Sequence, residues 1–248
     1  MAALGSERGR WPHLSVLVAR RQTAGRGRAG RDWVTPAAGA LTCSVVIGAP
    51  AGVPLTWVPL AVGLAVRRAL ATWLDVGLKW PNDVVAGAPH PLWGWGRKLG
   101  GILCERHPAG PVVAGIGVNC LQPPDELPVP WAGSLAALLG EGAPTPGEVL
   151  RVLGPALAEV FTAWDAHDDT LRVEYAAACT TLGARIRVEV AGGTAEGVAR
   201  AVDDDGALLV ERPDGEIARV TAGDVVRLRG RGPDGCVGRH TRAVGLGE

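Results

Sequence analysis

With 25 Lys and Arg balanced by 25 Asp and Glu over 248 residues, the chain has no basic surplus with which to draw nucleic acid. Its 47% hydrophobic content suffices for one substantial core with a small second unit. The longest apolar stretch, Val58 to Val66, falls far short of the roughly 20 residues needed to cross a bilayer. Arg8 and Arg10 ahead of Trp11-Pro12-His13 leave no hydrophobic leader core, so neither a membrane partner nor a leader is expected, and the expected compartment is the cytoplasm.

In chain order, Ser15 to Ala19 read as a short buried strand and Ala40 to Ile47 as another. The Gly- and Arg-dense segment between them is too polar for a strand and too glycine-rich for a helix. Leu60, Leu64, Arg67, Leu70, Trp73 and Leu74 recur at three-to-four spacing and predict an amphipathic helix over 57–74. Strands are expected at Leu78-Lys79-Trp80, Gly101 to Cys104 and Val112 to Val118, with a loop from Ala86 to Gly96. From Pro146 the stripe Leu150, Leu153, Leu157, Phe161 and Trp164 predicts helix to about residue 180. The period then shortens to two at Ile186, Val188 and Val190. Turn signals follow at Asp203-Asp204-Asp205-Gly206 and Pro213-Asp214-Gly215, and Val225 to Leu228 closes a set of five short strands. The Gly- and Arg-rich tail beyond Arg229 is expected to be disordered.

Five cysteines (Cys43, Cys104, Cys120, Cys179 and Cys236) are odd in number, widely spaced and form no CxxC pair. Free thiols are expected, and no metal-ligating set.

Four segments carry chemistry. In Gln22-Thr23-Ala24-Gly25-Arg26-Gly27-Arg28-Ala29-Gly30-Arg31, glycines let backbone N–H groups approach a ligand and arginines supply planar charged forks for phosphate or carboxylate oxygens. In Lys79-Trp80-Pro81-Asn82-Asp83 a turn holds a carboxylate rigidly. Arg97-Lys98-Leu99-Gly100-Gly101-Ile102-Leu103 sets a lysine at the mouth of a buried strand, and Gly115-Ile116-Gly117-Val118-Asn119 reads as a strand with something packed tightly against its backbone.

In this order, the four segments resemble the catalytic domain of biotin–protein ligases over residues 15–120, and residues 183–229 resemble the C-terminal barrel of that family more loosely. The resemblance implies an α+β fold: a mixed β-sheet with flanking helices, related to class II aminoacyl-tRNA synthetases, followed by a small SH3-like β-barrel. The expected units are a catalytic domain over 1–182, the barrel over 183–229 and the tail over 230–248. It implies ATP and biotin as substrates, Mg2+ accompanying the ATP phosphates, and transfer of biotin to a biotin carboxyl carrier domain of a carboxylase by a monomer or homodimer.

By match to the family motifs, Lys98 is expected on the reacting carboxylate or α-phosphate oxygen. Gln22 is expected at biotin's ureido end, where an amide both donates and accepts. Arg26, Gly27 and Arg28 are expected over the carboxylate and phosphate, with Arg31 ordering the loop, Trp33 stacking on adenine, and Gly25 and Gly101 among the residues that bind biotin or biotinyl-adenylate. Asp83 orients either the incoming lysine or a metal. The loop is expected to act as a lid over a hydrolysable intermediate.

The chain departs from the family pattern in three places. It has no S-T-N motif ahead of Gln22, and Ala2 to Gly5 look like the middle of the helix that normally follows that motif, so a catalytic domain truncated at its N-terminus is expected. Ala29 stands where arginine is frequent, and Ala88 to Trp95 form a Trp- and Pro-rich insertion read as a surface loop. No helix-turn-helix segment precedes the motifs, so repressor activity is not expected. Two rival readings remain: a lipoate ligase on the same fold, and a poorly active relative that binds biotinyl-adenylate or a carrier protein.

Overall fold

A computed structural model of the chain describes residues 11–34, 39–48, 54–91, 94–106, 111–190 and 193–228. The expectations for Ala2 to Gly5 and for the tail lie outside these residues. Strands β1 (Val16–Val18), β2 (Ala40–Ile47), β3 (Val76–Lys79), β4 (Asp83–Ala86), β5 (Lys98–Arg106) and β6 (Val112–Asn119) form a six-stranded sheet in the order β1-β2-β6-β5-β4-β3. Its ladders are antiparallel; parallel contacts are the isolated bridges Leu78–Cys179 and Lys98–Ala132.

Alternation sorts the two faces. On β2, Leu41, Cys43, Val45 and Ile47 are buried in the core, while Thr42 and Ser44 line an open cleft. Helices α1 (Val58–Leu70), α3 (Pro146–Asp165) and α4 (Thr170–Ala178) cover the apolar face; α2 (Leu135–Leu139) is a single short turn. Because α1 is packed against the sheet on one side and α3 and α4 on the other, it is buried nearly all round rather than amphipathic. It ends at Leu70, so Trp73 and Leu74 fall in the following turn. The single helix expected up to residue 180 is broken where His167 takes a left-handed φ of 56°. Helix α3 starts with a reciprocal cap: the Glu148 N–H donates to Thr145 Oγ1 at 3.3 Å, and Glu148 Oε2 accepts the Thr145 N–H at 2.8 Å.

Beyond α4, β7 (Arg185–Val190), β8 (Gly193–Val202), β9 (Leu208–Glu211), β10 (Ile217–Val220) and β11 (Asp224–Arg227) form a second antiparallel sheet in the order β10-β9-β8-β7-β11. The five strands match the expected small β unit; no pairing among the described residues joins β10 to β11 to close a barrel. Its Asp203–Gly206 turn is seated on two tryptophans of the first unit, one just ahead of α1 and one in the β3–β4 turn: Trp57 Nε1 donates to Asp203 O at 3.1 Å and Trp80 Nε1 to Gly206 O at 3.0 Å. These bonds satisfy two buried indole N–H groups and bring β11 to the edge of the cleft.

Candidate active site

The polar face of the six-stranded sheet floors a cleft of about 1180 Å³. Register defines its centre: Thr42 pairs Gly117, Gly117 pairs Gly101, Gly101 pairs Asp83 and Asp83 pairs Lys79. Directly opposed residues share a face, so one transverse row, Thr42–Gly117–Gly101–Asp83–Lys79, crosses five strands. Its middle is bare backbone between a hydroxyl and two charges.

Lys98 joins this face through an irregularity in the ladder. Between β4 and β5 the register shifts, Val84 pairing Gly100 and Val85 pairing Lys98, which leaves Leu99 as an extra residue on β5. A bulge of this kind changes the alternation, so Lys98 and Gly101, three positions apart, both line the cleft. The Lys98 backbone is clamped from the other side, its N–H donating to Trp131 O and its C=O accepting from Gly133 N–H, both at 2.8 Å. Its Nζ lies 2.6 Å from Asp83 Oδ1 and 5.4 Å from the Trp33 ring centroid. Asp83 therefore engages Lys98 itself, a third option beside the lysine or metal expected from the motif.

The Gly-Arg loop closes one side. The Trp33 N–H donates to Gly25 O at 2.9 Å and the Gly27 N–H to Arg31 O at 2.6 Å, drawing the loop into a tight lobe. Gly25 makes the lobe possible: a Cβ there would lie 2.1 Å from Trp33 O. Gly25 is the one expected site residue that does not line the cleft; Gln22, Arg26, Gly27, Arg28, Arg31, Trp33, Asp83, Lys98 and Gly101 all do.

The three arginines differ. Arg26 pairs with Glu105 at 3.4 Å and Arg31 with Asp224 of β11 at 2.7 Å, both on exposed surface. Arg28 has no ion pair among the described residues; burial holds its pKa below the usual arginine value, against the opposing pull of Asp224 and Asp83. The Trp33 ring rests on the glycines, where a Cβ on Gly117 would meet it at 2.8 Å and one on Gly101 at 3.4 Å. Gln22 Oε1 and Trp33 Nε1 are buried without hydrogen-bond partners, as expected of groups that await a ligand. Beneath the floor, Cys43 points into the core, where burial pushes its thiol up to about 12 and keeps it protonated and unreactive.

Lys79, Trp95, Asp224 and Arg227 are among the cleft residues that were not assigned roles from sequence. Lys79 lies in a quoted motif, and pairing it with Asp83 needed only a hairpin reading of Trp80-Pro81-Asn82. Trp95 corrects the surface-loop reading of the insertion, since it is 7% exposed and forms part of the cleft wall. Asp224 and Arg227 arrive from the second sheet, and no local pattern announces them.

Comparison with known proteins agrees with this geometry. The Biotin/lipoate A/B protein ligase family matches residues 5–120, and the Biotin protein ligase C terminal domain matches residues 181–228. The biotin–[acetyl-CoA-carboxylase] ligase of Mycobacterium tuberculosis is 41% identical over 224 residues, covering 86% of this chain and 79% of that protein. The Paracoccus denitrificans protein of the same name is 36% identical over 80% of this chain and 85% of its own length. Among solved structures, the Aquifex aeolicus biotin protein ligase in complex with biotin and ATP superposes with a TM-score of 0.76 at 26% identity, over 92% of this chain and 94% of that one.

Proposed function

The chain belongs to the biotin protein ligases, and from that premise we propose that it makes biotinyl-5'-adenylate from biotin and ATP and passes the biotinyl group to a lysine of a biotin carboxyl carrier domain. The observation that carries this reading is the row of bare glycine backbone between Thr42 and the Asp83–Lys98 pair, with Arg28 facing the same cleft. A flat ligand can lie on such a floor, and two anions can meet at such cations.

In the first step a carboxylate oxygen of biotin bonds to the α-phosphorus of ATP and pyrophosphate leaves. Lys98 neutralises charge on the carboxylate and on the α-phosphate, and Asp83 positions its ammonium. Arg28 covers the phosphate; Arg26 and Arg31, tied to Glu105 and Asp224, hold the lobe that carries it. Gln22 is left with a buried acceptor for the ureido N–H of biotin, and Trp33 with an indole N–H and a ring for the nucleotide side. In the second step the carrier lysine attacks the mixed anhydride and AMP leaves. Lys98 again meets the charge that develops, while the closed lobe keeps water from the anhydride.

Magnesium is expected with the ATP phosphates. The described residues hold no cluster of three or more His, Cys, Asp and Glu side chains fit for a metal, and Asp83 is engaged by Lys98, so the ion is treated as part of the nucleotide substrate. No helix among the described residues is long and apolar enough to cross a membrane; a cytoplasmic location, a carboxylase carrier domain as partner and the unit boundaries 1–182, 183–229 and 230–248 complete the reading.

Pyrophosphate release measured with ATP and biotin tests it. Release that requires biotin and is lost in Lys98→Ala is expected; biotin-independent release, or an unaffected Lys98→Ala variant, would overturn it.

A further inference from the structure

Arg97 directly precedes Lys98, yet it faces away from the cleft that Lys98 lines. Strand β6 pairs β5 only from Gly100 onward, so the Lys98 backbone lies beyond the end of that ladder. Residues 130–133 take the place of β6 there. Trp131 O accepts the Lys98 N–H and the Gly133 N–H donates to Lys98 O, both at 2.8 Å, as a parallel bridge. Lys98 is therefore held only as firmly as this segment is held.

The segment has few means of holding itself. Pro128 and Pro130 carry no N–H to donate. Pro128, Val129 and Ala132 line the cleft on one side and a second hollow of about 340 Å³ on the other. With open space on both sides, packing contributes little and hydrogen bonds decide where the segment lies. Arg97 supplies them from the side of the second hollow. Its Nη1 donates to Pro130 O at 2.7 Å and to Ala132 O at 3.1 Å, the carbonyls on either side of the one that takes the Lys98 N–H. Three successive carbonyls are thus gripped by two successive residues. Gly133 permits the approach, since a Cβ there would lie 2.8 Å from Arg97 Cβ. Asn119 Nδ2, donating to Gly133 O at 2.9 Å, ties the segment back to the end of β6.

Building on the ligase reading, we propose that Arg97 is a positioning residue for Lys98: it braces residues 130–133 against the start of β5 and so fixes the backbone from which the Lys98 ammonium reaches the reacting oxygens. Asp83 holds the tip of the lysine and the Arg97 brace holds its root. Arg97 acts through Lys98 and touches no substrate. Because Lys98 serves both adenylation and transfer, both half-reactions depend on the brace. A planar guanidinium with several donors can span two carbonyls of one strand, which a single ammonium does less well.

The test uses Arg97→Met, Arg97→Lys and Gly133→Ala in the full chain. Arg97→Met should lower single-turnover adenylation at saturating ATP and biotin about tenfold, the value of a charge-assisted contact. Transfer from supplied biotinyl-adenylate should fall by a similar factor, while the KM values for ATP and biotin stay within about threefold of wild type. Arg97→Lys should recover part of both rates, and Gly133→Ala, whose Cβ displaces Arg97, should lower both. A second readout needs no catalysis. The chain has two lysines, Lys79 and Lys98. Acetylation by sulfosuccinimidyl acetate, resolved by peptide mass spectrometry, should run severalfold faster at Lys98 in Arg97→Met, with Lys79 at its wild-type rate. A change confined to KM, a loss in one half-reaction alone, or wild-type labelling of Lys98 would overturn the proposal. If Arg97→Met does not fold, the Arg97→Lys rates and Lys98 labelling in Gly133→Ala decide. A wild-type chain that makes no adenylate would refute the ligase reading, and the labelling would then judge the brace by itself.

Discussion

Replacing Asp83 by Asn keeps the shape of the Lys98 seat and removes its counter-charge. The pair is 2.6 Å apart with the side chains 28% and 20% exposed, Lys98 and Asp83 respectively, between the buried and surface cases. Removing one partner of a fully buried pair costs about 3–5 kcal/mol, whereas an exposed pair contributes about 0.2–1 kcal/mol. Partial exposure places this pair at about 1–2 kcal/mol. The Lys98 backbone stays clamped to Trp131 and Gly133, so the loss falls on the aim of the ammonium rather than on the strand. Spent on positioning in the transition state, that energy corresponds to an adenylation rate about 5–30-fold lower. Single-turnover formation of biotinyl-adenylate at saturating ATP and biotin reads it directly, with thermal unfolding as control. An Asp83→Asn rate equal to or above wild type would show that Asp83 does not position Lys98.

Other residues give separable outcomes. In Arg28→Ala the adenylate should escape or hydrolyse about tenfold faster, since a half-buried guanidinium and part of the lid are lost, read from the decay of preformed adenylate. Gly100→Ala acts on the fold: the new Cβ would lie 2.5 Å from Gly117 O, a backbone atom that cannot yield, so a loss of about 1–3 kcal/mol should appear as a lower Tm. Burial pushes the Cys43 and Cys104 thiols from the ordinary 9.0 up to about 12. The folded state thus binds these protons more tightly than the unfolded chain. The stability involved is complete below pH 9 and is lost as pH rises from about 9 through 12. Iodoacetamide at pH 8 should spare both residues in the native chain and label them after denaturation, as resolved by peptide mass spectrometry.

What the sequence made legible followed from local chemistry. Strand β2 was readable to its ends because Leu41, Cys43, Val45 and Ile47 alternate with residues that face the cleft. The Gly-Arg segment was readable as a binding loop less from its composition than from its place, joining two core strands and opening on Gln22. Strand β4 was missed because Asp83 to Ala86 is only four residues long and adjoins a stretch read as turn and loop. The break at His167 was missed because a left-handed residue other than Gly or Asn leaves little trace in the pattern. The bulge that turns Lys98 onto the floor cannot be seen without the partner strand, since it is a mismatch between two ladders. Lys79, Trp95 and Arg227 meet only because the Asp203–Gly206 turn rests on Trp57 and Trp80 and brings β11 to the cleft. That juxtaposition belongs to tertiary structure and has no local signal.

The central claim is that this cleft activates biotin and hands it to a carrier through Lys98. Incubating the chain with ATP, magnesium, biotin and a purified carrier domain, and following the carrier by intact-mass spectrometry, tests it most directly. A gain of one biotinyl group that needs ATP and disappears in Lys98→Ala is the predicted result. A folded wild-type chain that leaves the carrier mass unchanged, or a Lys98→Ala variant that transfers as well as wild type, would contradict it.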